Sequence, residues 1–322
     1  CTSLCPWNMV STYSPRHILR HLALDTGTEQ TVDQAVWSCV TCNGCGIQCP
    51  RGIEIVDVMQ TVRQLNVDLG RLPDAFAEPV TGLETNGNPW NGDREKRLQW
   101  SDGLDIPRYE PDQDYCLFTC CTTAYRPDCR DAGRTLPKLL EKAGVGFGTL
   151  GTQESCCGDL ALRIGAAQVF SDLKQANVEQ LQSRGVQRLL ATSPHCLNIF
   201  RKNYTELNGA VSTDHYTEVL DRLVADGRLL PLGRVNRTVT FHDPCYLGRH
   251  NGIYDPPRRV LQSIPALSLV EMPNSRERSL CCGGGGGGAW RDGPADQSFG
   301  MLRVREALQT GADAVSYTHL RA

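Results

Sequence analysis

The chain has 322 residues, a formal net charge of −3 and a hydrophobic content of 40%. This is enough to bury a sizeable core over two or three domains, and the near-neutral charge leaves no electrostatic footprint for nucleic acid or an anionic membrane. No apolar run approaches the roughly 20 residues of a membrane helix, so direct membrane insertion is not expected.

The sequence begins at Cys1 with neither an initiator Met nor a basic-then-apolar signal segment, and a cytoplasmic location is expected. The first ~70 residues read as helical. Ser14 stands as an N-cap with Pro15 at N1, predicting a helix through His17–Leu24. A second helix is predicted over Ile55–Leu65, with Val58, Val62 and Leu65 on one face. From Gly70 to Pro111 the chain is rich in Gly, Pro, Asn and Asp, and an extended connector is expected, ordered by Trp90 and Trp100. Strands are then predicted at Tyr115–Thr119, Val145–Leu150, Arg188–Thr192, Thr238–His242 and Leu267–Met272. Helices are predicted between them at Thr135–Ala143, Ala166–Arg184 and Thr217–Asp226. This alternation predicts parallel α/β layers behind a helical N-terminal region, an α+α/β fold class.

Sixteen cysteines in tight local groups favour metal binding over a disulfide scaffold in a chain of this size. Cys39-x2-Cys42-x2-Cys45-x3-Cys49-Pro50 is the bacterial ferredoxin spacing for cubane [4Fe–4S] clusters, in which the fourth cysteine serves the other cluster. A zinc knuckle is the alternative, but so compact a run does not supply two separated knuckles. Cys1-x3-Cys5-Pro6 is the back half of the same motif. One cubane is therefore expected on Cys39, Cys42, Cys45 and Cys5. A second would use Cys1, Cys49 and two cysteines that this sequence does not contain.

The remaining cysteines repeat. Cys121, 34 residues and Cys156-Cys157-Gly158 are matched by Cys245, 35 residues and Cys281-Cys282-Gly283. A vicinal pair closes on itself only in a strained ring but presents two thiolates to adjacent irons. Candidate ligands are Cys121, Cys156, Cys157 and Cys196 in one lobe, and Cys245, Cys281 and Cys282 in the other. Structural zinc and buried free thiols are the alternatives. Cys116 and Cys129 fall outside both spacings and read as structural thiols, while Cys120 competes for a ligand position. The Gly283–Gly288 run lacks the acidic ribose contact of a dinucleotide site and no P-loop Lys follows. It is expected to let the backbone approach a cluster, with amides aimed at sulfur, the alternative being a flexible loop. His195 and His242 stand beside ligand positions and suit a proton donor to a reacting sulfur, or else a hydrogen-bonded strand end.

These motifs resemble the heterodisulfide-reductase family of iron–sulfur proteins. The resemblance rests on the ferredoxin run, on Glu154-Ser-Cys-Cys-Gly-Asp159, on the segment from Phe241 to Asp255 and on Cys281-Cys-Gly-Gly-Gly-Gly-Gly-Gly288. The chain is also similar to the iron–sulfur subunits of glycolate oxidase and anaerobic glycerol-3-phosphate dehydrogenase. The resemblance implies a ferredoxin-type 4Fe-4S domain over residues 1–70, a connector over 71–111, and two cysteine-rich domains over 112–235 and 236–322. It implies two cubanes in the first and one or two noncubane [4Fe–4S] clusters in the lobes. Cys156/Cys157 and Cys281/Cys282 would be the centres at which a disulfide is reduced. The chain departs from the pattern at Ser193, where Ser193-Pro194-His195-Cys196 carries serine in a ligand position, and after Val315, where residues 316–322 read as foreign. Both ends read as truncated.

Two functions follow. One is an oxidoreductase subunit of heterodisulfide-reductase type, with a disulfide or thiol substrate. The other is an electron-transfer subunit of a flavin-linked glycolate, lactate or glycerol-3-phosphate dehydrogenase, or of a membrane redox complex. A zinc-structured binding protein is the third reading. A flavoprotein or haem-b membrane subunit is the expected partner, membrane association would run through it, and an anaerobic metabolism is expected.

Overall fold

The computed structural model describes residues 5–10, 14–24, 35–207, 209–291 and 298–318. Cys1 and residues 319–322 lie outside them. The first long helices are α1 (Pro15–Leu24) and α2 (Ile55–Asp68). Ser14 begins α1 through its carbonyl, which accepts from the His17 and Ile18 amides, while its buried hydroxyl finds no partner among the described residues. The buried face of α2 is not the predicted one. Leu65 is 57% exposed, and the buried positions are Ile55, Val56, Met59, Arg63 and Asn66. The apolar pattern misleads because this helix faces its neighbours with an arginine and an asparagine.

The expected extended connector is helical. It contains a 3₁₀ turn at Asp74–Phe76, helix α3 (Ala77–Asn86) and a 3₁₀ stretch at Arg94–Ser101. Phe76, Leu83 and Trp100 are buried in the cores of the first lobe. Asn88, fully buried, ties the loop together. Its Oδ1 accepts from the Trp90 and Gly92 amides, and its Nδ2 donates to the Asn86 and Gly92 carbonyls. The turn-forming residues are thus caps and an Asx turn within folded structure.

The first lobe holds a wholly parallel sheet of β1 (Tyr115–Phe118), β2 (Phe147–Gly148), β3 (Arg188–Ala191) and β4 (Ser212–His215), in the order β2-β1-β3-β4. The helices α4 (Cys121–Tyr125), α5 (Pro127–Lys142), α6 (Asp159–Arg163), α7 (Ala167–Ser183), α8 (Pro194–Asn203) and α9 (Tyr216–Ala225) belong to it. Phe118, fully buried, meets Phe200 of α8 edge-on at 4.7 Å. Burial of one such ring contributes about 1.5–3 kcal/mol.

The second lobe holds β5 (Arg237–His242), β6 (Leu267–Val270) and β7 (Ala314–Tyr317), parallel and in the order β6-β5-β7. With it go α10 (Asp255–Gln262) and α11 (Phe299–Leu308). In both lobes the first strand is central and flanked by the next two, as a repeat requires. The five predicted strands are present, the second shortened to Phe147–Gly148. β4 and β7 were not predicted, and β7 includes two residues of the tail that reads as foreign.

The junction of β4 and α9 carries one pH dependence. His215 is fully buried and caps α9, its Nδ1 2.7 Å from the Thr217 hydroxyl and its amide donating to Glu218 Oε2. Burial, and secondarily Arg201, pushes His215 down to about 3. Below pH 6.5 the unfolded chain takes up a proton that the folded chain refuses. Stability should therefore fall as pH drops, by about 1.4 kcal/mol per unit in that window. His215→Asn keeps an acceptor in the capping place and should flatten this slope. Urea denaturation of both proteins between pH 7 and 5.5 checks it, and equal slopes would show that His215 is not the acid-sensitive group.

Candidate iron–sulfur centres

Parallel sheets place their ligand-bearing loops beyond the carboxyl ends of the strands. That is where the cysteines lie. Cys120 and Cys121 follow β1, Cys156 and Cys157 follow β2, Cys196 follows β3, Cys245 follows β5, and Cys281 and Cys282 follow β6.

In the N-terminal region Cys5, Cys39, Cys42 and Cys45 line one pocket with Trp7, Ile18, Val40, Ile55, Met59 and Phe299. Burial pushes the Cys5 and Cys45 thiols up to about 12, with the neighbouring thiols adding to the shift. Cys49 stands apart, held below the ordinary thiol value by the Ile53 and Arg51 amides. Thr41 (φ 51) and Asn43 (φ 58) occupy the left-handed region. For the β-branched Thr41 this conformation is costly.

In the first lobe the thiols form a connected chain. Cys121 is hydrogen-bonded to Cys156, Cys156 to Cys157, Cys157 to Cys196, and Cys196 to Cys120. The structure thus joins Cys120 to the four predicted thiols. Ser193 is buried and used otherwise, its hydroxyl accepting from the His195 amide at the start of α8. Cys116 and Cys129 are buried outside this chain, in β1 and α5. Arg97 and Glu154, a buried ion pair, brace the site: Arg97 donates to the Thr119 carbonyl and lies 3.7 Å from Cys121 Sγ.

In the second lobe Cys281 is hydrogen-bonded to Cys245, to Cys282 and to Cys42 of the ferredoxin run. Cys282 is held well below the ordinary thiol value, chiefly by the Cys281 thiol and then by His242. His242 Nδ1 accepts from Arg303 Nε at 2.8 Å, which leaves Nε2 for Cys282. The Tyr317 hydroxyl also lies 3.1 Å from Cys282 Sγ. Arg249 donates to the Cys42 and Ser279 carbonyls and ties the two regions together.

One pattern recurs at seven of these sulfurs, which accept from the amide two residues on. It holds for Cys5 and Trp7, Cys39 and Thr41, Cys42 and Gly44, Cys49 and Arg51, and Cys157 and Asp159. It holds again for Cys156 with Gly158 at 3.5 Å and Cys281 with Gly283 at 3.4 Å. Gly158 and Gly283 share a positive φ, 85° and 87°. Amides aimed at sulfur favour thiolate and tune a cluster. Among the described residues no three His, Cys, Asp or Glu side chains converge on a single metal ion. A multi-iron cluster takes one thiolate per iron and does not need such a point, so these donor sets fit it.

In the glycine run Gly283 offers its amide to the Cys281 sulfur. Gly285 and Gly286 approach the ferredoxin loop closely, where an added Cβ would lie 2.7 Å from the Val40 carbonyl oxygen and 2.6 Å from that of Cys39.

His195, the other predicted proton donor, is buried with Nδ1 2.6 Å from Asp159 Oδ2. Its ring stacks on Tyr246 at 3.9 Å, and Tyr246 stacks on His250 at 4.2 Å. The Tyr246 hydroxyl meets the Thr41 hydroxyl at 2.8 Å, and His250 Nε2 lies 2.9 Å from the Thr41 carbonyl. Three rings thus run between Cys196, Cys245 and the ferredoxin loop. Sequence reading missed Asp159, Tyr246 and Arg97: the first two were signalled only by their places beside cysteine motifs, and Arg97, far from any cysteine in the chain, carried no signal.

Residues 1–54 match the 4Fe-4S dicluster domain, and residues 115–201 and 239–319 each match the cysteine-rich domain. The chain is 33% identical over 294 residues to the probable iron-sulfur-binding oxidoreductase FadF of Bacillus subtilis, covering 88% of this chain and 42% of that protein. It is 34% identical over 265 residues to the EtfAB:quinone oxidoreductase of Syntrophomonas wolfei, covering 80% and 37%. It is 33% identical over 296 residues to one subunit of the dihydromethanophenazine:CoB–CoM heterodisulfide reductase of Methanosarcina barkeri, covering 87% of this chain and 69% of that subunit. The chain thus spans about two fifths of the length of the first two relatives.

Proposed function

The chain belongs to the iron–sulfur oxidoreductases that join a 4Fe-4S dicluster domain to two cysteine-rich domains, and from that membership we propose that it carries electrons from its ferredoxin domain into the two lobes to reduce a disulfide. The observation that carries this reading is the unbroken contact from Cys42 to Cys281, and through it to Cys245 and Cys282.

Cys5, Cys39, Cys42 and Cys45 would hold one cubane, and Cys49 with Cys1 would contribute to a second. Cys120, Cys121, Cys156, Cys157 and Cys196 would hold the first-lobe cluster, with Cys120 restoring the thiolate count that Ser193 lowers. Cys245, Cys281 and Cys282 would hold the second. These clusters, when bound, supply single electrons at the vicinal pairs. The reduction takes two electrons and two protons and breaks one S–S bond to give two thiols. The chain's own part is to deliver the protons. Asp159 fixes His195 by its Nδ1, and Arg303 leaves His242 Nε2 directed at Cys282.

The similarity to a protein named EtfAB:quinone oxidoreductase supports a second reading, electron transfer between a flavoprotein and a membrane partner without disulfide chemistry. The test is the paramagnetic signal of the anaerobically iron-loaded protein. A thiol substrate should alter a first-lobe signal, and Cys120→Ser should abolish that response while leaving the ferredoxin signal. If neither simple thiols nor heterodisulfides perturb any signal, disulfide reduction fails and the electron-carrier reading stands.

A further inference from the structure

Arg63 lies on the buried face of α2 with no exposed surface. A guanidinium stays charged, and a charge in such a place ordinarily has a carboxylate partner. Among the described residues every bond it makes goes to a main-chain carbonyl. Nε donates to Val36 at 3.2 Å, and Nη1 to Arg163 and Gly286, each at 2.9 Å. Nη2 donates to Val36 at 2.8 Å, Trp37 at 3.2 Å and Cys39 at 2.5 Å. Its plane sits 5.3 Å from the Trp37 ring.

The surroundings add positive charge. Arg291 donates to the same Trp37 carbonyl, and Arg163 lies close by. Arg163 already has a partner in Asp159 at 3.5 Å, and Asp159 is also bonded to His195. Among the described residues the acidic groups nearest Arg63 are the Cys39 thiol and the Tyr246 hydroxyl, and burial pushes both up, so neither supplies a standing negative charge. The carbonyls bonded to Arg63 belong to three parts of the chain. Val36, Trp37 and Cys39 are in the ferredoxin region, Arg163 ends α6 of the first lobe, and Gly286 is in the glycine run of the second.

We propose that Arg63, with Arg291 beside it, is the positioning and charge-setting residue of the cubane centred on Cys39, Cys42, Cys45 and Cys5, and that the anionic cluster is its counter-charge. This rests on the cubane assignment above. A thiolate-ligated cluster becomes more negative on reduction, so a buried cation stabilises the reduced form and raises the potential. The guanidinium fork also fixes both lobes against the loop that holds the cluster, a task that one ammonium on a flexible stem does not reproduce.

The test is a redox titration, followed by electron paramagnetic resonance, of the anaerobically loaded whole chain and of Arg63→Met, Arg63→Lys and Arg291→Met. R63M should lower the midpoint potential of the ferredoxin-domain cluster by about 59 mV or more, a tenfold change in a one-electron equilibrium constant. The shift should persist at high salt, because buried charges are screened little. R291M should move the potential the same way by less. R63K should keep the potential close to that of the parent but be cleaved several-fold faster by trypsin at Arg276, Arg278 or Arg291, which flank the glycine run. A loaded R63M with the parent midpoint overturns the charge role. If R63M does not load, an unshifted R291M overturns it. R63K as protease-resistant as the parent overturns the positioning role. If the parent itself takes up no iron and shows no cubane signal, the cubane assignment fails instead.

Discussion

Cys42→Ala is expected to remove one complete cubane from the anaerobically loaded protein and to break electron delivery to the lobes. Loss of an outer-shell partner typically costs about 10–100-fold in metal affinity or activity, and loss of a thiolate ligand should exceed that. Cys42 has two roles. It lines the ferredoxin pocket with Cys5, Cys39 and Cys45. Its thiol also accepts from Cys281, and with Arg249 this holds it below the ordinary thiol value. Cys49→Ala is the control, since Cys49 is absent from that pocket and should leave this cubane in place. Iron and sulfide analysis with paramagnetic resonance of the reduced proteins decides the matter. A C42A protein that keeps the parent's iron and signal would remove Cys42 from the ligand set and break the proposed route.

The second large effect concerns folding. Glu154→Gln should destabilise the chain by about 3–5 kcal/mol, because it strands a buried cation. Arg97 and Glu154 are 2% and 3% exposed. Glu154 also accepts from the Thr119 amide, directly before Cys120. The pair therefore braces the segment on which two first-lobe thiols depend. Replacing both partners with apolar residues, Arg97→Met with Glu154→Leu, should recover much of the loss, because a well-packed apolar pair costs less than half an ion pair. Guanidinium unfolding of the three proteins measures this. Equal stability of E154Q and the parent would show that Arg97 has other compensation.

The chemistry was legible in the sequence wherever it is local. Cysteine spacing marked the ferredoxin run, the matched vicinal pairs marked a repeat, and the first three strands of the two sheets share one order. Contacts made only by folding were not legible. Arg63 is not part of the apolar face predicted for α2, and its burial depends on both lobes packing over it. Cys120 reads as a competitor for a ligand position, and its neighbour Cys196 is brought to it only by α8. The segment over 71–111 reads as connector because Asn88 and the glycines that terminate and turn it look like loop composition. β4 was missed because Ser212–His215 is polar at a sheet edge, its last residue excepted.

The glycine run meets the ferredoxin loop with main chain alone. Gly285 and Gly286 lie directly on the Cys39–Val40 backbone, and Arg63 binds that backbone to both lobes. A methyl group added at either glycine would push on a carbonyl oxygen of the loop that carries Cys39, so a change in the last third of the chain is felt at a cysteine of the first.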